Sequence, residues 1–227
     1  MDVWFSDPNK IFKTTDTAVT YRLEEFELLY DALSSPSLDK FYSSNNVQFH
    51  GTEYEHVYSE IPTGTTTVNL QLPSNRSNCA GTLTIVRPAS NIADTTVQKL
   101  EDGFYSMSNF KETDMRVNTK SIYMEEREKA DEWYKELSHL FPEVDESKHF
   151  DPEQFYGGQF MLASNLSGAP SQFHKRLLSG VRTSLLTTDL SQEIEFSAPT
   201  TTALRVDTYV VSDVIYSYSK GRMQVLL

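Results

Sequence analysis

The closing stretch, Thr200 to Leu227, reads TTTALRVDTYVVSDVIYSYSKGRMQVLL and constrains the fold more than any other part of the chain. Leu204, Val206, Thr208, Val210, Ser212, Val214 and Tyr216 alternate with Arg205, Asp207, Tyr209, Val211, Asp213, Ile215 and Ser217. Period-2 spacing in β-branched and aromatic residues predicts one long strand. The first set is expected to face a core, and Arg205 in the second set to sit on the surface. Chain ends read polar and fray unless something ties them down. A strand this long at the end of a chain usually lies inside a sheet or waits for a partner subunit to cover it.

Shorter segments repeat the alternation. EYEHVYSEI sets Tyr54, His56, Tyr58 and Glu60 against Glu55, Val57, Ser59 and Ile61, and TVNLQLP alternates through Val68, Leu70 and Leu72. GTLTIVRP, Gly81 to Pro88, ends on a proline that cannot donate to a ladder. YGGQFMLASNL opens a strand after Gly157-Gly158, and Val181, Thr183, Leu185 and Thr187 are strand-like after Gly180. TYRLEEFELLYDAL, Thr20 to Leu33, fits a helix through Leu23, Phe26, Leu29 and Leu33, and a strand through Phe26, Leu28 and Tyr30. Ile92, Val97 and Leu100 carry weak helical spacing that stops at Gly103. The clear helix is YMEEREKADEWYKELSHLF, Tyr123 to Phe141, with Met124, Ala130, Trp133, Leu137 and Leu140 on one stripe and Pro142 as the stop. FPEVDESKHFDPEQ reads as an acidic loop. Many short strands punctuated by turns, with one helix between them, favour a β-sandwich or jelly roll.

The chemistry-bearing residues exclude more than they offer. The net charge of −12 argues against duplex DNA or an anionic membrane as the main partner. Cys79 is the only cysteine, so no intramolecular disulfide can form, and a reducing compartment is expected. It sits in a polar loop and reads as an inert thiol. No apolar run reaches the ~20 residues of a spanning helix. MDVWFSDPNK carries acid and no apolar core, which predicts no signal peptide. His50, His56, His139, His149 and His174 have no acid or cysteine at metal-ligand spacing. Asp145, Glu146 and Asp151 lack the spacing and central glycine of a calcium loop. Nucleotide and hydrolase fingerprints are missing. No cofactor, metal or catalytic residue is expected, and the chain is read as not an enzyme. Asn75-Arg76-Ser77 and Asn165-Leu166-Ser167 read as chance sequons.

Taken in order, several segments resemble the C-terminal jelly roll of double jelly-roll major capsid proteins of the adenovirus and Polinton-like lineage. The matching positions are Tyr58, Ile61-Pro62, Gly64-Thr65, Gly157-Gly158-Gln159-Phe160, Asn165-Leu166, and Leu177 with Gly180 and Arg182. The resemblance implies an all-β, eight-stranded jelly-roll β-sandwich with one α-helix inserted at about residues 123–141. An N-terminal arm (1–19), a jelly-roll domain (20–218) and a C-terminal tail (219–227) follow from it. A full double roll needs roughly twice this length, so the chain would be one roll, with an upstream jelly-roll partner or as a single-roll relative.

The implied function is structural: a virion protein that assembles into trimeric capsomers with itself and neighbouring capsid subunits, without direct nucleic-acid contact. The expected subunit interface comprises Trp4, Phe5, Tyr216, Tyr218, Met223, Val225, Leu226 and Leu227. A reading from a different class is a carbohydrate- or receptor-binding β-sandwich, a viral spike or lectin-like module, with Trp4 and Trp133 stacking on sugar faces. Placement weighs against it, because Trp133 falls on the apolar stripe of the helix.

Overall fold

The computed structural model describes residues 36–37, 40, 46–90, 104–123, 125–141, 152–167, 180–183, 189–219 and 222–226. Nine strands are present among them: β1 (Val47–Ile61), β2 (Thr67–Gln71), β3 (Cys79–Pro88), β4 (Phe110–Val117), β5 (Lys120–Ser121), β6 (Leu162–Asn165), β7 (Leu190–Phe196), β8 (Leu204–Ser219) and β9 (Arg222–Leu226). Helices α1 (Ala130–Leu140) and α2 (Pro152–Gly157) lie between β5 and β6. The chain divides into two units. One holds Met1–Gly51, Thr95–Gln98 and Val214–Leu227, and the other holds Thr52–Asp94 and Lys99–Asp213.

In the larger unit the strands form two antiparallel sheets, ordered β1-β8-β3-β6 and β2-β7-β4-β5. The pairing follows one rule. The first strand pairs with the eighth, the second with the seventh, the third with the sixth and the fourth with the fifth. That is a single long antiparallel ribbon. Rolling it up adds the contacts β3 to β8 and β4 to β7, and these turn the ribbon into two sheets. An eight-stranded roll built in this way is a jelly roll, as expected.

The predicted strand face is the inner face. Leu204, Val206, Thr208, Val210 and Ser212 are all buried, and Leu204, Val206 and Val210 belong to one core cluster with Val86, Leu70, Leu72, Met115, Leu162 and Ile194. Burying side chains of this size stabilises the fold by about 1.5–3 kcal/mol each. A polar link crosses the core. The Thr84 hydroxyl of the first sheet donates to Gln192 Oε1 of the second at 2.6 Å and lies 3.1 Å from Thr208 Oγ1. Unpaired polar groups would be costly there, so the link favours one mutual alignment of the sheets.

Several expectations need correction. Asp207, Val211 and Asp213, on the face opposite the core, are buried as well, so Arg205 does not sit on a bare surface. The helix expected over 123–141 begins only at Ala130, because Arg127 pairs with Thr113 of β4 through two backbone hydrogen bonds of 2.9 Å. Glu132 then receives the backbone N–H groups of Glu128 and Lys129 at 3.1 and 3.2 Å, which closes the helix start as a capping box. Trp133, Leu137 and Leu140 are buried as the stripe requires. The Trp133 indole N–H donates to Thr113 Oγ1 at 2.9 Å, and the Glu136 carboxylate takes the N–H of Asn165 at 3.1 Å. The end of the predicted acidic loop forms α2. Cys79 is no loop residue; it starts β3, fully buried. The segments 1–19, 20–33, 92–100, 142–151 and 184–188 lie outside the described residues.

In the smaller unit, residues of β8 from Ile215 to Ser219 pair antiparallel with β9, from Ile215 opposite Leu226 to Ser219 opposite Arg222. Ser217 Oγ donates to Asn46 Oδ1 at 2.6 Å. Gly51 of β1 is where the chain passes against the Tyr216 ring, and a Cβ there would collide with that ring.

Candidate assembly surfaces

Side chains on β1 alternate in exposure along its length, and β1 is the outermost strand of its sheet among the described residues. The row pointing away from the core is Thr52, Tyr54, His56, Tyr58 and Glu60. Tyr54 is 58% exposed and Tyr58 60% exposed, more than any other large hydrophobic side chains recorded. Large rings left in water on a sheet face are a hallmark of contact surfaces.

Behind this row lies a charge cluster assembled from three strands. Asp207 of β8 is 1% exposed, yet its carboxylate is fully engaged. His56 Nε2 lies 2.9 Å from Oδ1, Arg205 Nε donates to Oδ1 at 3.0 Å, and Arg87 Nη2 of β3 donates to Oδ2 at 2.5 Å. Burial alone would push the Asp207 carboxyl up. Hydrogen bonds from Arg87, His56 and Arg205, with the charge of Arg87, outweigh it and hold the carboxyl below its ordinary value. The rings join the same cluster: His56 stacks on Tyr209 with centroids 4.9 Å apart, and the Arg205 guanidinium sits 4.6 Å over the Tyr58 ring. Two guanidiniums thus serve one hidden carboxylate.

A second patch is acidic. Asp114, Ser121, Tyr123, Glu125, Glu126, Glu128, Lys129 and Glu132 line a groove of about 420 Å³. Asp114 is occupied, receiving Arg116 Nε at 2.7 Å and the Ser121 hydroxyl at 2.5 Å, and Glu132 caps α1. Glu125, Glu126 and Glu128 are exposed, and none forms a side-chain ion pair with a described residue. Crowding of carboxylates extends onto β4 and β7. A hydrogen bond with Glu195 raises the Glu112 carboxyl, with burial and the charge of Glu126 acting the same way.

The expected subunit-interface residues fall mostly on the β8–β9 hairpin. Tyr216 lies opposite Val225 and Tyr218 opposite Met223. Tyr216 and Tyr218 are half-buried, Val225 is 41% exposed, and the Phe49 ring stacks on Tyr216 at 5.3 Å. Leu226 pairs with Ile215 in the backbone ladder. Trp4, Phe5 and Leu227 lie outside the described residues. Sequence reasoning missed the surface of Tyr54, His56 and Tyr58 with Arg87, Arg205 and Asp207. His56 and Asp207 are 151 residues apart, and only the pairing of the first strand with the eighth brings them together.

Among the described residues no group of three His, Cys, Asp or Glu side chains is placed to hold a metal ion, and no helix is long and apolar enough to cross a membrane. Burial pushes the Cys79 thiol up to about 12, so the nucleophilic thiolate is suppressed. Trp133 is buried against Phe160 and is closed to any sugar.

No protein-family model matches the chain, and no curated protein matches it in sequence. Solved structures do. VP54 of PBCV-1, from a crystal structure fitted into a cryo-EM reconstruction of the virophage Sputnik, superposes with a TM-score of 0.55 at 10% identity, over 85% of this chain and 54% of that one. The quasi-atomic model of the PBCV-1 virus capsid gives 0.52 at 11% identity, over 86% and 55%. What the chain shares with these capsid structures is the fold. The chain spans about half the length of the structures it matches.

Proposed function

We propose that this capsid-type jelly roll is a structural virion protein that self-assembles into trimeric capsomers and packs against neighbouring capsid subunits. The observation that carries the reading is the jelly-roll fold, β1-β8-β3-β6 over β2-β7-β4-β5, which superposes on a virus capsid structure. Exposed rings at Tyr54, Tyr58 and Phe49 and the exposed Val225 supply apolar surface of the kind that subunit contacts cover. Trp4, Phe5, Tyr216, Tyr218, Met223, Val225, Leu226 and Leu227 are assigned to the subunit interface on this reading. Coverage of about half of each matched structure supports an upstream jelly-roll partner, in the same polypeptide or as a separate chain.

Size-exclusion chromatography with light scattering tests the assembly state. A trimer at micromolar concentration is expected, and a strictly monomeric species would sink the reading. The adjoining reading frame is a second check, because a jelly roll encoded directly upstream would establish the double arrangement.

A further inference from the structure

We infer that the tyrosine–arginine face of β1 and β8 is the socket for the acidic Glu125–Glu128 strip of a second copy of this chain. The inference rests on the self-assembly proposed above and adds which two surfaces meet. Both lie within the larger unit, and each is incomplete in charge when taken alone.

On the socket side, Arg87 and Arg205 share one carboxylate, Asp207, which is buried beneath them. Solvent therefore meets partly exposed guanidiniums, the edge of His56 and two open tyrosine rings, with Glu60 closing the row at its far end. On the strip side, Glu125, Glu126 and Glu128 present three exposed carboxylates that form no ion pair with a described residue, although the charges of Glu126 and Glu128 reach Arg116 and Lys111. Their neighbours, Asp114 and Glu132, already have partners of their own. Arginine over tyrosine is a surface well made for carboxylates, since the guanidinium fork can bond two oxygens while the ring covers the aliphatic stem.

The complement has to come from a copy rather than from any acidic protein, because charge sets a constraint on assembly. A chain of net charge −12 repels its own copies. Association becomes favourable where the one cation that Asp207 leaves over on one copy meets the acids of the next, which also fixes the register of the contact. Socket and strip are different patches, so the contact is heterologous, the type that closes into a ring when its rotation permits.

Two sets of substitutions separate this contact from a general effect of charge. Glu125→Lys, Glu126→Lys and Glu128→Lys together reduce the net negative charge, so simple repulsion predicts tighter self-association. The socket predicts the opposite, a loss of at least about tenfold in the association constant measured by sedimentation equilibrium. Tyr54→Glu with Tyr58→Glu, which sets carboxylates beside the socket arginines at exposed positions, should weaken association to a similar degree. Combining the two sets in one chain restores opposite charge across the contact and should bring association back to within about threefold of the wild type. Circular dichroism confirms that each variant is folded.

If the wild type assembles and the lysine set assembles as well or better, the socket is wrong and the assembly reading stands. Failure of the combined chain to recover, with both single sets weakened, would likewise place the contact elsewhere. A wild type that never associates overturns both.

Discussion

In the β1-β8-β3-β6 sheet the central strand β8 is buried on both faces, whereas the β2-β7-β4-β5 sheet carries salt-bridged charges on its outer face that, Asp114 apart, stay partly exposed. Outward from β8, Asp207, Val211 and Asp213 are all shielded from solvent. Outward from β4 and β7, Lys111 bonds Glu195 at 2.7 Å and Arg116 bonds Glu193 at 2.6 Å, with every partner about a third exposed or more than half exposed. Similar ion pairs therefore carry different energetic weight. A charge taken out of water depends on its partners, while a charge left in water hardly notices losing one.

The sharpest test of that difference is Asp207→Asn. It leaves Arg87 and Arg205 facing each other without the carboxylate between them, and the loss should be roughly 3 kcal/mol in urea unfolding. The same residue predicts a pH dependence. Its folded value lies below the ordinary 3.8, so its stabilisation is complete above that value and is lost as pH falls through the lower folded one. The wild type's advantage over Asp207→Asn should therefore be constant near neutrality and shrink only once the pH has fallen below the ordinary 3.8. An advantage that grows on acidification would show that the arginines do not hold the carboxyl down.

The same contrast explains what the sequence revealed. Strands β3 and β8 were readable because apolar residues recur on both of their rows, as with Val206 and Val210 on one and Leu83, Ile85 and Tyr209 on the other. β4 and β7 were not recognised as strands. FKETDMRV and LSQEIEF place Lys111, Arg116, Glu193 and Glu195 where alternation would show, and a bulge between Phe110 and Glu112 breaks the period. Their pairing is the missing information, since Glu195 and Lys111 complement each other only across the ladder. The helix start was misjudged for a related reason. Glu125 to Lys129 are good helix formers, and a β-bridge to Thr113 overrides that propensity. The candidate contact faces stayed hidden because they draw on residues from β1, β3 and β8.

Thr84→Val asks how the sheets hold each other rather than how each differs. It deletes the hydroxyl that donates to Gln192 and leaves the buried amide oxygen without that bond. A loss of about 1–3 kcal/mol is expected by thermal or chemical unfolding. Restoration by adding Gln192→Leu, which removes the orphaned amide, would show that the polar group rather than a cavity is responsible.

Arg205→Ala should fall lower, at about 1 kcal/mol, because Asp207 keeps Arg87 and His56 when Arg205 is gone. Its position opposite the core made it look dispensable, and the bond to a buried carboxylate raises it above an ordinary surface change. Chemical unfolding of Arg205→Ala beside Tyr58→Ala separates the contribution of the charge from that of the ring beneath it.

Lys111→Ala on the outer face of the second sheet should be the mildest change, within about 0.5 kcal/mol of the wild type. Lys111 reaches Glu195 at 2.7 Å and Glu112 at 3.8 Å, but its side chain is 54% exposed and water can replace either contact. Removing the cation does leave Glu112 and Glu195 hydrogen-bonded to each other, and that pair can hold together by retaining a proton. The visible consequence should be titration rather than unfolding: the Glu112 carboxyl, already raised, should rise further in carbon-detected NMR while the melting temperature stays nearly unchanged. Added salt should shrink even that small stability difference, as screening acts on exposed pairs first. A loss for Lys111→Ala comparable with that of Asp207→Asn would mean that the outer face of the second sheet is as closed to water as the first, and the contrast between the sheets would fail.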